Sequence, residues 1–214
     1  MLVSRAMSRN LVTTTPDTPV AEAQSLMRRE KIHHLPVVDA SGGLAGIVTE
    51  KDLIYASPSP ATSLSMYEIN YLLAKLRVSK VMTREVITIG PDAPLEQAAR
   101  IMADHDIGGL PVVAEGKPVG IVTESDVFRV FVDIFAARRR GVRVEAVVPD
   151  VRGELARLSG AIAAAGGNIL AFGSLPGDEP TSVHVTLKVD GLPADRLLET
   201  IRPFVSRVVD TREI

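Results

Sequence analysis

The 214-residue chain contains no cysteine and no tryptophan, and only 4% of its residues are aromatic. The missing cysteine excludes disulfides, cysteine nucleophiles, thiolate zinc sites and cysteine-ligated iron–sulfur clusters, and it fits a reducing cytosol. Scarce aromatics, with 24 Lys+Arg against 26 Asp+Glu and a formal net charge of −2, remove both the stacking rings and the positive field of a general nucleic-acid binder. Every apolar run is cut by a charge, Gly or Pro well before the roughly 18 residues of a spanning helix, and residues 1–7 hold no continuous apolar stretch of the secretory kind. The expectation is a cytoplasmic protein with no nucleic-acid partner and no membrane association. What the chain does have is 46% hydrophobic and 23% charged residues, a balance that builds a globular core.

An internal repeat organises the first two thirds. At a constant offset of 75, Met7 falls on Met82, Pro16-Asp17 on Pro91-Asp92, and Leu35-Pro36-Val37-Val38 on Leu110-Pro111-Val112-Val113. After one deletion in a turn the offset is 74, and Gly46-Ile47-Val48-Thr49 with Asp52 falls on Gly120-Ile121-Val122-Thr123 with Asp126. Each copy predicts a short extended piece (residues 11–13 and 86–88), a helix after Pro-Asp-x-Pro, a hairpin from Leu-Pro-Val-Val to Gly-Ile-Val, and a helix from Thr-x-x-Asp. This is a β-α-β-β-α unit whose helices cover one face of a small sheet, so two units must pack together. The expected boundaries are 1–58 and 77–136, joined by a linker over 59–76. A breaker-rich stretch at 57–63 leads into that linker, whose helix has Met66, Ile69, Leu72, Leu73 and Leu76 on one face. A helix from Phe128 to Phe135 is expected to run into Arg138-Arg139-Arg140, read as cations suited to a helix C-terminus with an anion or partner site as the alternative, and Gly141 ends it.

Residues 141–214 change pattern. Val142–Val148 reads as a strand, a helix follows with Leu155, Leu158, Ile162 and Ala165 on one face, and Gly166-Gly167-Asn168 breaks it. Strands at 169–175 and 181–189, a helix with Leu197, Leu198 and Ile201, and a strand at 205–209 complete a β-α-β-β-α-β, ferredoxin-like plan. The fold class is α/β in the α+β sense.

The doubled Leu-Pro-Val-Val…Gly-Ile-Val-Thr-x-x-Asp resembles a tandem pair of CBS (cystathionine-β-synthase) domains over residues 1 to about 136. Asp150-Val151-Arg152-Gly153-Glu154-Leu155 and Gly166-Gly167-Asn168-Ile169 resemble two segments of ACT domains, with Arg152 where that family has Pro. A CBS pair, a linker helix and an ACT domain in this order are similar to the AcuB-type acetoin-utilisation proteins of bacteria. The resemblance implies a regulatory protein that senses adenine nucleotides (AMP, ADP or ATP), needs no cofactor, forms a homodimer and acts on another protein, with acetoin or carbon metabolism as its setting. No Walker A loop, Gly-x-Ser-x-Gly elbow or His-Glu-x-x-His is present, so an enzyme is not expected.

Thr49 and Thr123 follow a strand and open a helix, where a hydroxyl and unpaired N–H groups suit a phosphate. Asp52 and Asp126, three residues on, share that helix face, where a carboxylate accepts both hydroxyls of a ribose. CBS pairs that bind adenine nucleotides use this Thr and Asp in those roles. The plain alternative is a capping box, since Thr-x-x-Asp has its pattern. Both roles are compatible. The resemblance adds His34, Leu35 and Pro36, and Gly109, Leu110 and Pro111, as residues lining the base, with Thr13 and Thr88 behind them. Gly46 and Gly120 mark a close approach of ligand or backbone. His33, His34 and Lys51 in the first copy, against Gly108, Gly109 and Ser125 in the second, lead to the expectation that the first site favours more phosphate charge. Adjacent His33 and His34 point to opposite faces of an extended segment, so no metal is expected. In the C-terminal part, Asp150 and Gly153 at a helix start and Asn168 are the candidate contacts of a small ligand. The alternative there is Asp150 as an N-cap and Gly166-Gly167 as a helix stop.

Overall fold

A computed structural model describes residues 1–56, 65, 68 and 75–214. The expected linker stretch 57–63, and Met66, Ile69, Leu72 and Leu73 of the expected linker helix, lie outside the described residues. The chain divides into two units, Met1–Val127 and Phe128–Ile214.

In the first unit a short helix α1 (Val3–Ala6) precedes two matching series. The first comprises α2 (Val20–Glu30), β1 (His34–Val38), β2 (Leu44–Thr49) and α3 (Glu50–Tyr55), and the second α4 (Leu95–His105), β3 (Gly109–Ala114), β4 (Lys117–Thr123) and α5 (Glu124–Ile134), whose last seven residues fall in the second unit. Pro19 and Pro94, each at φ −61°, stand as N-caps of α2 and α4. The helical spacing then buries Val20, Ala23 and Met27 in one copy, and Leu95, Ala98 and Met102 in the other. β1 pairs antiparallel with β2, and β3 with β4, with the same bulge at Val37/Val38 and Val112/Val113.

The expected extended pieces at 11–13 and 86–88 form no strand. Each copy instead makes one parallel bridge just beyond them, Thr14 to Val37 and Ile89 to Val112. The ladder stops there because the next donors in register would be Pro16 and Pro91, which have no N–H.

Each copy is completed by residues of the other. The Val78 N–H donates to the Thr18 carbonyl (2.9 Å), the Val20 N–H to Leu76 (2.8 Å), and Ile47 and Thr83 exchange two bonds of 2.9 Å. Val78 and Met82 are buried in the core of the first copy with Leu35, Val37, Val48 and Leu53. The mirror set joins the N-terminus to the second copy: Val3 donates to Ala93 (2.9 Å), Leu95 to Met1 (2.8 Å), and Ser8 exchanges bonds with Ile121 (2.9 and 3.1 Å). The expected boundaries 1–58 and 77–136 therefore run across a reciprocal exchange of the segments near 1–8 and 76–83. That exchange accounts for Gly46 and Gly120. A Cβ at Gly46 would lie 2.8 Å from both Met82 Sδ and the Thr83 carbonyl oxygen, and at Gly120 equally close to Met7 Sδ and the Ser8 oxygen. The close neighbours are a backbone oxygen and a methionine side chain in each case.

The second unit follows β5 (Val142–Pro149), α6 (Glu154–Ala164), β6 (Asn168–Pro176), β7 (Ser182–Asp190), α7 (Ala194–Ile201), a 3-10 turn at Arg202–Phe204 and β8 (Arg207–Glu213). Its sheet order β6-β7-β5-β8, with antiparallel neighbours, is the ferredoxin-like arrangement of the expected plan. Alternation along β5 buries Val142, Val144, Ala146 and Val148 against Leu158, Ile162, Leu197 and Ile201 of the two helices. Pro203 in the 3-10 turn delays β8, which starts at Arg207 where a start at 205 is expected. This unit begins at Phe128, earlier than the Gly141 boundary expected. Within it the Lys188 ammonium donates to the Ala136 carbonyl (3.1 Å), and the Phe135 ring lies where a Gly173 side chain would stand. Helix α5 stops at Ile134, and Ala136 takes a left-handed φ of 46°. Arg138–Arg140 consequently lie beyond the helix rather than in its last turn.

Candidate functional site

The strand-to-helix corner at Thr49 builds the first candidate site. Thr49 is extended (φ −105°) and caps α3. Its N–H and hydroxyl donate to Asp52 Oδ2 (2.8 and 2.7 Å), and its Oγ1 accepts from the Asp52 N–H (3.2 Å). The second corner repeats this: the Thr123 N–H and hydroxyl donate to Asp126 Oδ2 (2.9 and 2.8 Å). Thr-x-x-Asp therefore forms a reciprocal cap at Thr49, as the capping-box alternative anticipates, and the same Thr-to-carboxylate bonds recur at Thr123. The corners differ in exposure: Asp126 is 5% exposed and Asp52 is half-buried.

Asp52 stands on a cleft of about 470 Å³. Thr49, Glu50, Lys51 and Ile47 line one side of it, together with His33 and His34. The other side is supplied by the second copy: Thr83, Glu85, Val86 and Ile87 from the exchanged segment and its continuation, and Asp106, Ile107, Gly108 and Gly109 from the turn after α4. Of the expected contacts, the cleft brings together Thr49, Asp52, His34 and Gly109. Leu35 and Leu110 are fully buried core side chains, and Pro36 and Pro111 are buried in β1 and β3. Those four, with Thr13 and Thr88, are not among the lining residues. Glu85, Val86, Ile87, Asp106 and Ile107 escaped sequence reasoning, although the offset already placed Val86 and Ile87 in the short segment of the second copy.

His34 sits at the junction of the copies, and the two glycines opposite it explain why. A Cβ at Gly109 would come within 3.3 Å of the His34 ring, so the second copy's Gly108-Gly109 makes room for the first copy's imidazole. Burial, then the neighbouring His33, hold the His34 imidazole below its ordinary value, against the opposing pull of Glu124 and Asp52. His33 turns the other way, its Nδ1 2.7 Å from Glu50 Oε2. With Glu50, Asp52, Glu85 and Asp106 set against Lys51 on one cleft, its lining is predominantly acidic. This runs against the expectation that the first site favours more phosphate charge.

In the second unit the N-cap of α6 is Gly153, at φ +86° and with no side-chain cap bond, so Asp150 is not the cap. The Asp150 N–H donates to Thr181 (2.8 Å). Asn168 is exposed at the start of β6. A cavity of about 320 Å³ between α6 and the sheet is lined by Leu155, Ala156, Leu158, Ser159, Ile169, Phe172 and Leu187, and Asp150, Gly153 and Asn168 are not among these. Gly166, at φ +93°, follows the C-cap Ala165 of α6, the position a helix stop requires. Among the described residues no group of three or more His, Asp or Glu could hold a metal ion, and no helix is long and apolar enough to cross a membrane.

The family model of the CBS domain matches residues 3–59 and 78–133. A CBS domain-containing protein of Dictyostelium discoideum is 35% identical over 63% of this chain and 93% of its own length. An inosine-5'-monophosphate dehydrogenase of Korarchaeum cryptofilum is 38% identical over 59% of this chain, a stretch that spans only 24% of the enzyme. Among solved structures, the CBS domain pair of protein MJ0100, in complex with 5'-methylthioadenosine and S-adenosyl-L-methionine, matches with a TM-score of 0.52 and 32% identity over 61% of this chain and 99% of that one. CBSX2 in complex with AMP gives 0.53 and 31% over 62% and 97%. A Vibrio cholerae protein assigned by name to acetoin utilization (AcuB) gives 0.53 and 32% over 64% and 95%.

Proposed function

Starting from the fact that this chain belongs to the CBS-domain family, we propose that it is a non-catalytic regulatory protein whose CBS pair binds an adenine nucleotide or a related adenosyl ligand. The observation that carries this reading is the 470 Å³ cleft with Asp52 on its wall. Both bonds from Thr49 land on Oδ2, so Oδ1 is the oxygen offered to ribose hydroxyls, and the cap and the ligand use the same carboxylate without competing. Val86, Ile87 and Ile107 supply apolar surface for the base. Relatives with solved complexes hold AMP, 5'-methylthioadenosine and S-adenosyl-L-methionine, which supports an adenosyl ligand. The match to the dehydrogenase spans only 24% of that enzyme, so its activity is no guide to this chain.

The ligand acts through its differential affinity for two packings of the copies, since the cleft wall is drawn from both. In this reading residues 141–214 serve as an ACT-like domain, with Asp150, Gly153 and Asn168 as contacts for a small ligand. The chain works as a homodimer on a separate target protein, and the likeness to the Vibrio cholerae protein suggests acetoin utilisation as the setting. A second reading is favoured by the complete capping box at Thr49: an adaptor in which Thr-x-x-Asp only stabilises helices. Thermal unfolding of the full chain with AMP, ADP, ATP, S-adenosylmethionine and 5'-methylthioadenosine separates the two. At about 100 times Kd a binding ligand adds roughly 2.7 kcal/mol, and Asp52→Ala/Asp126→Ala abolishes that gain. No gain with any of the five establishes the adaptor.

A further inference from the structure

The repeat offset gives each residue of the first cleft a partner at the second corner, and the two sets differ in charge. Glu85 corresponds to Asn10, and Asp106 to Lys31. The equivalence is structural as well as numerical. Lys31 and Asp106 both end a helix in the left-handed conformation, at φ 55° and 52°. Asn10 and Glu85 both lie two residues past the exchanged bridges, Ser8 to Ile121 and Thr83 to Ile47. Two acidic positions in the first cleft are thus an amide and a cation at the second corner.

We propose, resting on the adenosyl binding argued above, that the cleft at Thr49–Asp52 selects an adenosyl ligand with no phosphate at its 5' end, either a neutral thioether or a cationic sulfonium. A cleft of about 470 Å³ is small enough that a phosphate anywhere inside it lies within roughly one Debye length, about 8 to 10 Å, of its carboxylates. Glu50 and His33 pair with each other, so a phosphomonoester would meet Asp52, Glu85 and Asp106 with Lys51 as the lining cation opposed to them. Burial, then His33, lower the affinity of the His34 imidazole for a proton, so it is a poor source of compensating charge. A sulfonium gains from the same field and a thioether is indifferent to it. Discrimination therefore sits on Glu85 and Asp106, the two carboxylates that the second corner lacks.

Calorimetric titration of the full chain with 5'-methylthioadenosine and with AMP tests this, the first-cleft signal being the component lost in Asp52→Ala. The expected result is methylthioadenosine binding at least about tenfold tighter than AMP in that component, with the gap narrowing in Glu85→Gln/Asp106→Asn and at high salt. Both substituted residues are exposed, and Asn keeps the left-handed preference that position 106 needs, so the variant stays folded. AMP binding as tightly as methylthioadenosine, or a ratio unmoved by the double neutralisation, overturns the selectivity. Failure of both compounds in every variant instead overturns the adenosyl reading beneath it, and the selectivity with it.

Discussion

The two copies share a skeleton down to the bulge in the hairpin and the carboxylate oxygen that caps the last helix, yet they differ in what surrounds that cap. In the first copy Asp52 stands on a cleft whose far wall is acidic; in the second Asp126 is buried and the corresponding wall positions are Asn10 and Lys31. Duplication preserved the residues that hold the backbone and left free those that line the cleft. Each wall is borrowed from the opposite copy, so a change in one repeat alters the site of the other.

The largest expected effects test the shared skeleton. Leu35→Ala and Leu110→Ala each remove a fully buried side chain and should cost about 2–5 kcal/mol, read by chemical denaturation, with similar values for the two copies. A large disparity breaks the equivalence. Next come Gly46→Val and Gly120→Val, which drive a side chain into Met82 and Thr83, or into Met7 and Ser8. Because half of each obstacle is backbone, each should cost about 1–3 kcal/mol, and both should weaken the docking of the exchanged segments, visible as faster amide exchange near 1–8 or 76–83. Asp126→Ala should cost more than Asp52→Ala, about 1–3 against about 1 kcal/mol, because it leaves the Thr123 donors unpaired in a buried setting.

The smallest effect belongs to His34, which has Gly109 as its counterpart. Its native pKa is depressed mainly by burial, so the unfolded chain takes up this proton first as pH falls. The stabilisation is complete above the unfolded value of about 6.5 and is lost as pH drops from there through the lower native value. His34→Gln should flatten that part of the stability profile. An unchanged slope would mean that the second copy's glycines do not shelter the imidazole.

Much of this molecule is legible in its sequence. The repeat offset, the hairpins and the Thr-x-x-Asp corners follow from periodicity and from local chemistry that acts within a few residues. The element order of 142–213 follows from strand alternation and from Gly and Pro breaks. The reciprocal exchange was hidden because it is made by single bridges, at Ser8, Thr83, Pro19 and Leu2, which leave no periodic trace. Glu85 was missed for the same reason, since it continues the exchanged segment past Thr83, whereas Asp106 reaches the cleft from the end of α4, through packing of the two copies that leaves no periodic trace either. Leu35 and Leu110 illustrate the converse. A family motif marks the segment, but alternation along the strand turns these side chains into the core.

The most direct test of the central claim is diffraction from crystals of the full chain grown with saturating 5'-methylthioadenosine. The account predicts the nucleoside in the cleft of the first copy, its ribose hydroxyls on Asp52 Oδ1 and its base against Val86, Ile87 and Ile107. A vacant cleft at saturation, or the nucleoside bound away from Asp52, would contradict it.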